Sequence, residues 1–157
     1  MSKAFPLRPR SATDTSFSFA IVASQFNDSY VQPMVDNALR ELAELEPGAA
    51  VEVFRTPGSF EIPIFVQAAA GWKRFHAILA LGVVFQGETA HAVLIGDSVT
   101  KALMDISLAH RVPVIHEVLL LNNEEQAKER CLGVEHNRGV EAARAAVMAA
   151  RNLSEIA

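Results

Sequence analysis

A ten-residue segment that begins at Gly82 and ends at His91 combines the residue types that chemistry on an anion requires. The apolar run Ala77–Phe85 predicts a buried strand, and an amphipathic stretch from His91 to about His110 predicts a long helix. Between them, Gly87 permits a ligand to approach the main chain closely. Unpaired N–H groups at a helix start, together with the helix dipole, favour binding of a phosphate. The histidine in the first turn would then lie within reach to move protons.

The same segment also has a simpler interpretation, because a glycine turn between a strand and a helix is common in α/β proteins. Gly87 would then only make the turn, and His91 would only begin the helix. The common phosphate-binding fingerprints are missing here, since the segment contains neither Gly-Lys-Ser/Thr nor G-x-G-x-x-G. Taken alone, the segment leaves both interpretations open.

Length and composition favour one domain with a substantial core, because the chain has 157 residues of which 50% are hydrophobic. The formal charge is −4 with acidic and basic residues interspersed, so no nucleic-acid partner is expected. No apolar run reaches membrane-spanning length, so no membrane partner is expected either. The single cysteine, Cys131, argues against disulfides and fits a reducing cytoplasm. The five histidines lack metal-ligand spacing with cysteines or acids, so no metal is expected.

The pattern of apolar residues predicts alternating strands and helices. Strands are predicted at 17–24, 51–55, 77–85 and 113–121, and helices at 28–46, 60–74, 91–110, 124–131 and 137–152. Asn27 or Asp28 is predicted to cap the first helix, and Pro33 is predicted to lie in its first turn. Helical crossovers between apolar strands predict a parallel sheet with helices on both faces, which is an α/β fold. Ligands of such folds bind at the carboxyl ends of the strands.

Several groups of residues, in this order and spacing, match one known family. They are Phe26-Asn27, Pro57–Pro63, Gly82–His91, Pro113–Ile115, Glu124–Arg130 and Asn137–Ala143. With these groups the chain resembles the lumazine synthase family from about residue 17 to residue 150. The resemblance implies a three-layer αβα sandwich around a flavodoxin-like, four-stranded parallel sheet. It also implies a single domain over residues 17–157, preceded by a flexible N-terminal arm at 1–16.

The resemblance implies a transferase of riboflavin biosynthesis. The family condenses 5-amino-6-(D-ribitylamino)uracil with 3,4-dihydroxy-2-butanone 4-phosphate to 6,7-dimethyl-8-ribityllumazine, the penultimate step of that pathway. Its members use no cofactor. The alternative on the same fold is a catalytically weak scaffold that binds flavin or lumazine. A receiver domain is disfavoured, because Ser24-Gln25-Phe26 stands where such a domain needs an acidic pair.

The resemblance also implies a role for each matched residue. His91 would shuttle protons during imine formation and phosphate loss. The ribitylaminouracil would be bound by Phe26, Ser59, Phe60, Glu61, Val83, Val84, Phe85 and His116. The phosphate would be bound by main-chain N–H groups of Glu88 and Thr89 and by the guanidinium of Arg130. Asn27 and Arg138 are further candidates. Considered singly, Phe60 could equally be a hydrophobic staple and Arg130 a partner of a helix dipole.

The chain departs from the family at four positions, one of which is Ala90 in place of the more usual proline or threonine before His91. Gln25 replaces a usual arginine, His116 replaces a usual aromatic residue, and Val134 stands near a frequent lysine. The family assembles at least as homopentamers with the active site between subunits. One subunit would supply Phe26 and His91, and its neighbour would supply His116 and Arg130. The arm is expected to add to the sheet of a neighbour.

Overall fold

Four parallel strands form one sheet in the part of the chain that the computed structural model describes, residues 5–14 and 16–157. The strands are β1 (Ser18–Ser24), β2 (Ala50–Thr56), β3 (Ala77–Phe85) and β4 (Val114–Leu121), in the order β2-β1-β3-β4. Ala23 of β1 lies opposite Arg55 of β2 on one side and Leu81 of β3 on the other. The predicted four-stranded parallel sheet is therefore confirmed.

Helices cover both faces of this sheet. They are α1 (Asp28–Leu45), α2 (Ile62–Gly71), α3 (His91–His110), α4 (Glu124–Ala127) and α5 (Arg138–Ile156). A 3₁₀ turn at Ser59–Glu61 leads into α2, and a π-helical turn at Lys128–Leu132 continues α4. Helices α1 and α5 pack on one face and α2 and α3 on the other, which confirms the three-layer αβα sandwich.

The central strand β3 explains why its sequence reads as a continuous apolar run. Successive side chains of a strand point to opposite faces of the sheet. Leu79 and Leu81 join the core under α1 and α5, whereas Ile78 and Ala80 join the core under α2 and α3. Because both faces of β3 are buried, neither set of positions can be polar.

Several local predictions are wrong. Pro33 is not in the first turn but further inside α1, where its carbonyl accepts a hydrogen bond from Asn37 Nδ2 (2.8 Å). Helix α2 ends at Gly71 instead of continuing to residue 74, because Lys73 adopts a left-handed conformation (φ 57°) that turns the chain. The predicted helix at 124–131 is α-helical only over its first four residues, before the π-helical turn begins.

The π-helical turn is held by contacts that reach past the ordinary helical spacing. The Gly133 N–H donates to Lys128 O (2.9 Å), and Asn137 Nδ2 donates to Cys131 O (2.9 Å). A side chain at Gly133 would place its Cβ 2.5 Å from Glu129 O, so glycine is required there. Cys131 itself is completely buried, and burial raises the pKa of its thiol to about 12.

A buried acidic side chain lies beneath α5. Glu117 of β4 is 8% exposed, and Arg138 at the start of α5 forms an ion pair with Glu141 beside it. Burial raises the pKa of Glu117 to about 8; the charge of Glu141 adds to this rise and the charge of Arg138 opposes it. Arg138 is therefore engaged in the layer between β4 and α5.

The described part of the N-terminal arm lies against α1 and α5 of its own chain. Glu41 Oε1 of α1 accepts hydrogen bonds from Arg8 Nε (2.9 Å) and from Arg144 Nε of α5 (3.0 Å). The Ala12 N–H donates to Leu45 O at the end of α1 (2.9 Å). Of the predicted arm, residues 1–4 and 15 lie outside the described residues. None of the helices that the structure describes is long and apolar enough to cross a membrane.

Candidate active site

A cleft of about 930 Å³ opens at the carboxyl ends of β1 and β3, beside the start of α3. Most residues predicted for the site line it: Phe26, Asn27, Ser59, Phe60, Glu61, Val83, Val84, Phe85, Thr89 and His91. They come from four separate segments that the parallel sheet brings to one edge. In the sheet, β2 and β3 lie on opposite sides of β1, so the strand order reverses between β1 and β3. The cleft lies at this point, which is the usual ligand site of such sheets.

The loop after β1 is tied to the loop after β2. The Gln25 N–H donates to Thr56 O (2.7 Å), and the Phe26 N–H donates to Pro57 O (3.0 Å). These bonds fix the main chain of the loop while the Phe26 side chain stays 70% exposed. An exposed aromatic ring on a fixed main chain offers its face to a flat ligand.

The turn before α2 places two polar side chains in the cleft. Glu61 Oε2 accepts a hydrogen bond from the Gly58 N–H (2.9 Å), which holds the carboxylate and leaves its other acceptor sites available. Ser59 is buried against β3, where a Cβ on Gly82 would come within 2.6 Å of Ser59 Oγ. The glycine on β3 therefore makes room for the serine hydroxyl.

The turn before α3 presents main-chain donors. Gln86 Nε2 donates to Gly87 O (3.1 Å) and to Thr89 O (3.2 Å), which binds the carbonyl groups of the turn. Within residues 5–14 and 16–157, the N–H groups of Gly87, Glu88 and Thr89 donate to no protein acceptor. Free donors at the start of a 20-residue helix suit an anion. The Glu88 side chain is exposed and does not line the cleft.

His91 is the first residue of α3 and lines the same cleft. Its side chain is exposed, and its main-chain N–H contacts Thr89 Oγ1 at 3.4 Å. Leu94 and Ser98 follow on the same side of α3, three and seven residues later, and also line the cleft. These two residues were not among those predicted for the site, although their spacing from His91 places them on one helix face.

His116 does not line the cleft of its own chain. Its Nδ1 accepts a hydrogen bond from the Val118 N–H (3.1 Å), and its Nε2 lies 2.7 Å from Thr100 Oγ1. Since Nδ1 accepts, the neutral ring carries its proton on Nε2 and donates it to the threonine. Burial lowers the pKa of His116, which favours this neutral form.

Arg130 also lies outside this cleft, in the π-helical turn. Its Nη1 is 3.5 Å from Gln126 O and 3.9 Å from a carboxylate oxygen of Glu129. Its Nε is buried without a hydrogen-bond partner among the described residues. A guanidinium with so few close contacts retains donors for a further anion.

The part of the chain that the structure describes contains no cluster of side chains suited to bind a metal ion. Among residues 5–14 and 16–157, no group of three or more histidine, cysteine, aspartate or glutamate side chains is arranged to hold a metal ion. The chemical groups of the cleft are an imidazole, a carboxylate, a hydroxyl, aromatic rings and main-chain donors. Such a set can bind a flat polyhydroxylated ligand together with an anion and can move protons between them.

Comparison with known proteins agrees with this geometry. The family model for 6,7-dimethyl-8-ribityllumazine synthase matches residues 16–154. A 6,7-dimethyl-8-ribityllumazine synthase of Coxiella burnetii (strain Dugway 5J108-111) is 35% identical, over 92% of this chain and 96% of the relative. Relatives with the same name from Thermococcus onnurineus and Streptomyces coelicolor are 38% and 41% identical, over 88% and 87% of this chain and 90% and 85% of their own lengths. The chain belongs to the 6,7-dimethyl-8-ribityllumazine synthase family.

Proposed function

We propose that this chain catalyses the condensation of 5-amino-6-(D-ribitylamino)uracil with 3,4-dihydroxy-2-butanone 4-phosphate to 6,7-dimethyl-8-ribityllumazine. The observation that carries the proposal is the single cleft in which Phe26, Ser59, Glu61, Thr89 and His91 meet. Family membership supports the reaction, and the contents of the cleft match its two substrates, one flat and polyhydroxylated and the other an anion.

The ribitylaminouracil would lie on the β1 side of the cleft. The exposed Phe26 ring would stack on the pyrimidine. The turn before α2 holds Ser59 and Glu61 in place. The Ser59 hydroxyl would donate to or accept from the ribityl hydroxyls, and the Glu61 carboxylate would accept hydrogen bonds from them. Phe60 and the strand segment Val83–Phe85 would form the walls.

The phosphate would lie at the start of α3. The free N–H groups of Glu88 and Thr89 would bind its oxygens, and the Glu88 carboxylate would remain in solvent. His91, two residues further on, would accept the proton of the attacking amine and return a proton to the departing water. Much of the remaining acceleration would come from holding both substrates in one cleft.

The active chain would be a homo-oligomer, a pentamer or larger, with its sites between subunits. Two residues predicted to contact substrate, His116 and Arg130, do not line the cleft of their own chain, and a neighbouring chain could supply both. A second groove of about 560 Å³ between α2 and α3 adjoins the cleft, with Ile64 and Leu94 exposed beside it. Apolar surface of this kind is a usual site of subunit contact. A reducing cytoplasm would suit the buried thiol Cys131.

The reaction can be tested by mixing the purified protein with both substrates and following formation of the lumazine by its fluorescence. Turnover that falls in the His91→Ala variant would support the proposal. Tight binding of ribityl ligands without turnover would instead favour the binding scaffold.

The shared site has a separate test. The variants His91→Ala and Arg130→Ala are produced together in one cell, so that their subunits mix. If each site takes these residues from different chains, roughly one site in four regains both native residues, and activity rises above that of either variant alone. If both residues come from one chain, no mixed site regains the pair and activity stays low. Light scattering of the native protein measures the number of subunits.

A further inference from the structure

Asn27 stands at the start of α1 but does not act as its cap. A side-chain oxygen at this position normally accepts a hydrogen bond from the N–H of the second or third helical residue. Here the side chain makes no such bond, although the Asn27 carbonyl accepts from the N–H groups of Tyr30 (3.0 Å) and Val31 (3.1 Å). The amide Nδ2 donates instead to Val83 O on β3, 56 residues away in sequence, at 2.8 Å.

The main chain of Asn27 is also in an uncommon conformation. Its φ of 60° and ψ of 38° lie in the left-handed region, which asparagine tolerates better than most residues. The left-handed conformation of Asn27 and the absence of its side-chain cap each cost local free energy. Such costs persist where the surrounding structure requires the conformation. The bond to β3 is the contact that this arrangement gains.

That bond lies where two strands separate. Pairing of β1 with β3 ends at Ala23 and Leu81, so β1 supplies no partner to the Val83 carbonyl. The Asn27 amide supplies the missing donor and so joins the loop after β1 to β3 across the crevice of the sheet. Phe26, the residue before it, and Val83, its acceptor, are both predicted contacts of the pyrimidine and both line the cleft.

We propose that Asn27 is a positioning residue of this site: its amide, bonded to Val83 O, fixes the distance between the Phe26 ring and the β3 wall, and so sets the slot that a flat pyrimidine enters. This inference rests on the proposed function. Three of the hydrogen bonds at this loop tie it to the segments that border the cleft, two from the Gln25 and Phe26 N–H groups to the loop after β2 and one from Asn27 to β3. Of these, only the bond of Asn27 comes from a side chain and can be removed by substitution.

Two variants separate positioning from stability. Asn27→Gly keeps the left-handed conformation and removes the amide. Asn27→Asp keeps the size and a good capping oxygen but has no donor for Val83 O, so it is expected to fold at least as well as Asn27→Gly. A matched control is Lys73→Gly, which replaces another left-handed residue, at φ 57° and outside the cleft, without breaking a bond to β3.

The measurement is steady-state kinetics with the uracil substrate varied. We expect both Asn27 variants to raise KM for this substrate about tenfold, the effect of one lost hydrogen bond, and to change kcat by less than about threefold. The pH profile of kcat should stay as in the native protein, and Lys73→Gly should leave KM unchanged. An unchanged KM in a folded Asn27→Asp variant would overturn the inference, as would a loss of kcat alone.

A structural measurement keeps this test independent of the proposed reaction. Crystal structures of the native protein and of Asn27→Asp are compared at the loop after β1. We expect the Phe26 ring to move away from Val83 or to become disordered in the variant. A native loop with Phe26 in place would overturn the inference. Absence of turnover in the native protein would overturn the proposed function, and the comparison of the two structures would still decide the role of Asn27.

Discussion

Ser59 Oγ lies 2.6 Å from the point where a β-carbon at position 82 would stand, so the hydroxyl occupies space that only glycine leaves open. The same β-carbon would meet Ile62 Cδ1 at 3.2 Å and Ser24 Oγ at 3.3 Å. A serine on the edge of the cleft is thus positioned by a glycine in the central strand. Packing in the core therefore determines the position of a side chain that we propose binds the ribityl chain.

The variant Gly82→Ala tests this relationship. We expect it to lower the free energy of unfolding by about 1–3 kcal/mol, as overpacking does, and to raise KM for the uracil substrate because Ser59 must rotate. Urea titration and steady-state kinetics measure the two effects. Gly96→Ala in α3 is the control, because its β-carbon would meet only Leu120 Cδ2 at an ordinary 3.8 Å. Equal behaviour of the two variants would contradict the explanation.

The variant His91→Ala tests the proton shuttle. We expect kcat to fall by roughly 10²–10⁴-fold and not to zero, because the variant still holds both substrates together. Stopped-flow detection of the lumazine gives the rate. His110→Ala, at the opposite end of α3, removes a histidine outside the cleft and should retain native activity. Complete loss of turnover in folded His91→Ala would show that the imidazole does more than move protons.

The raised pKa of Glu117 predicts that the free energy of unfolding falls as the pH rises. Its pKa is raised by burial to about 8 in the folded chain, so between about pH 4.5 and pH 8 the folded state binds a proton that the unfolded state has released. The stabilisation is complete below the unfolded pKa and is lost as the pH rises through about 8. At about 1.4 kcal/mol per pKa unit, the loss amounts to a few kcal/mol.

Urea titrations at pH 5, 7 and 9 measure that loss. Glu117→Gln cannot ionise, so we expect it to match the native protein at pH 5 and to exceed it at pH 9. Glu125→Gln, an exposed residue of α4, should follow the native protein throughout. If Glu117→Gln lost stability with pH as steeply as the native protein, Glu117 would not be the group that titrates.

The hydrogen bonds that Glu41 accepts from Arg8 and Arg144 allow a prediction of how strongly the N-terminal arm is held. Burial alone would raise the pKa of Glu41, but hydrogen bonds from Arg8 and Arg144 outweigh it and lower the pKa. Glu41→Gln should therefore cost about 1–3 kcal/mol of unfolding free energy, the effect of weakening two charge-assisted bonds. Glu44→Gln, whose partner Arg8 is shared but whose side chain is exposed, should cost less than about 1 kcal/mol.

Thermal unfolding and limited proteolysis distinguish these variants. Loss of Glu41 should make the segment around Arg8 accessible to trypsin before the rest of the chain. A Glu41→Gln variant as resistant as the native protein would mean that other contacts suffice to hold the segment.

The long elements could be predicted from sequence because their signals are local. The structure confirms the predicted bounds of β3 and α3, since an apolar run, a glycine turn and an amphipathic helix follow one another without conflict. At the start of α4, Asn123 Oδ1 accepts a bond from the Gln126 N–H (2.9 Å), the local cap that asparagine favours at a helix start. Local signals failed where a contact distant in sequence determines the conformation. The side chain of Asn27 donates a hydrogen bond to β3 instead of capping α1.

The cleft could be predicted only in part for a similar reason. Parallel strands place their carboxyl ends together, so the segments after β1, β2 and β3 had to meet. The resemblance added their roles, and His91 and Phe26 do line one cleft. The positions of His116 and Arg130 relative to a substrate depend on a second chain, and they stay predictions.

Cys131 gives the folded chain an internal reporter. It is the single thiol of the sequence and has no exposed surface where the π-helical turn meets α1 and α5. A water-soluble alkylating reagent can reach it only when these layers part, and the raised thiol pKa slows any reaction further. The rate at which Cys131 reacts with such a reagent in the intact protein would therefore report how often this half of the molecule unfolds locally, with no engineered probe.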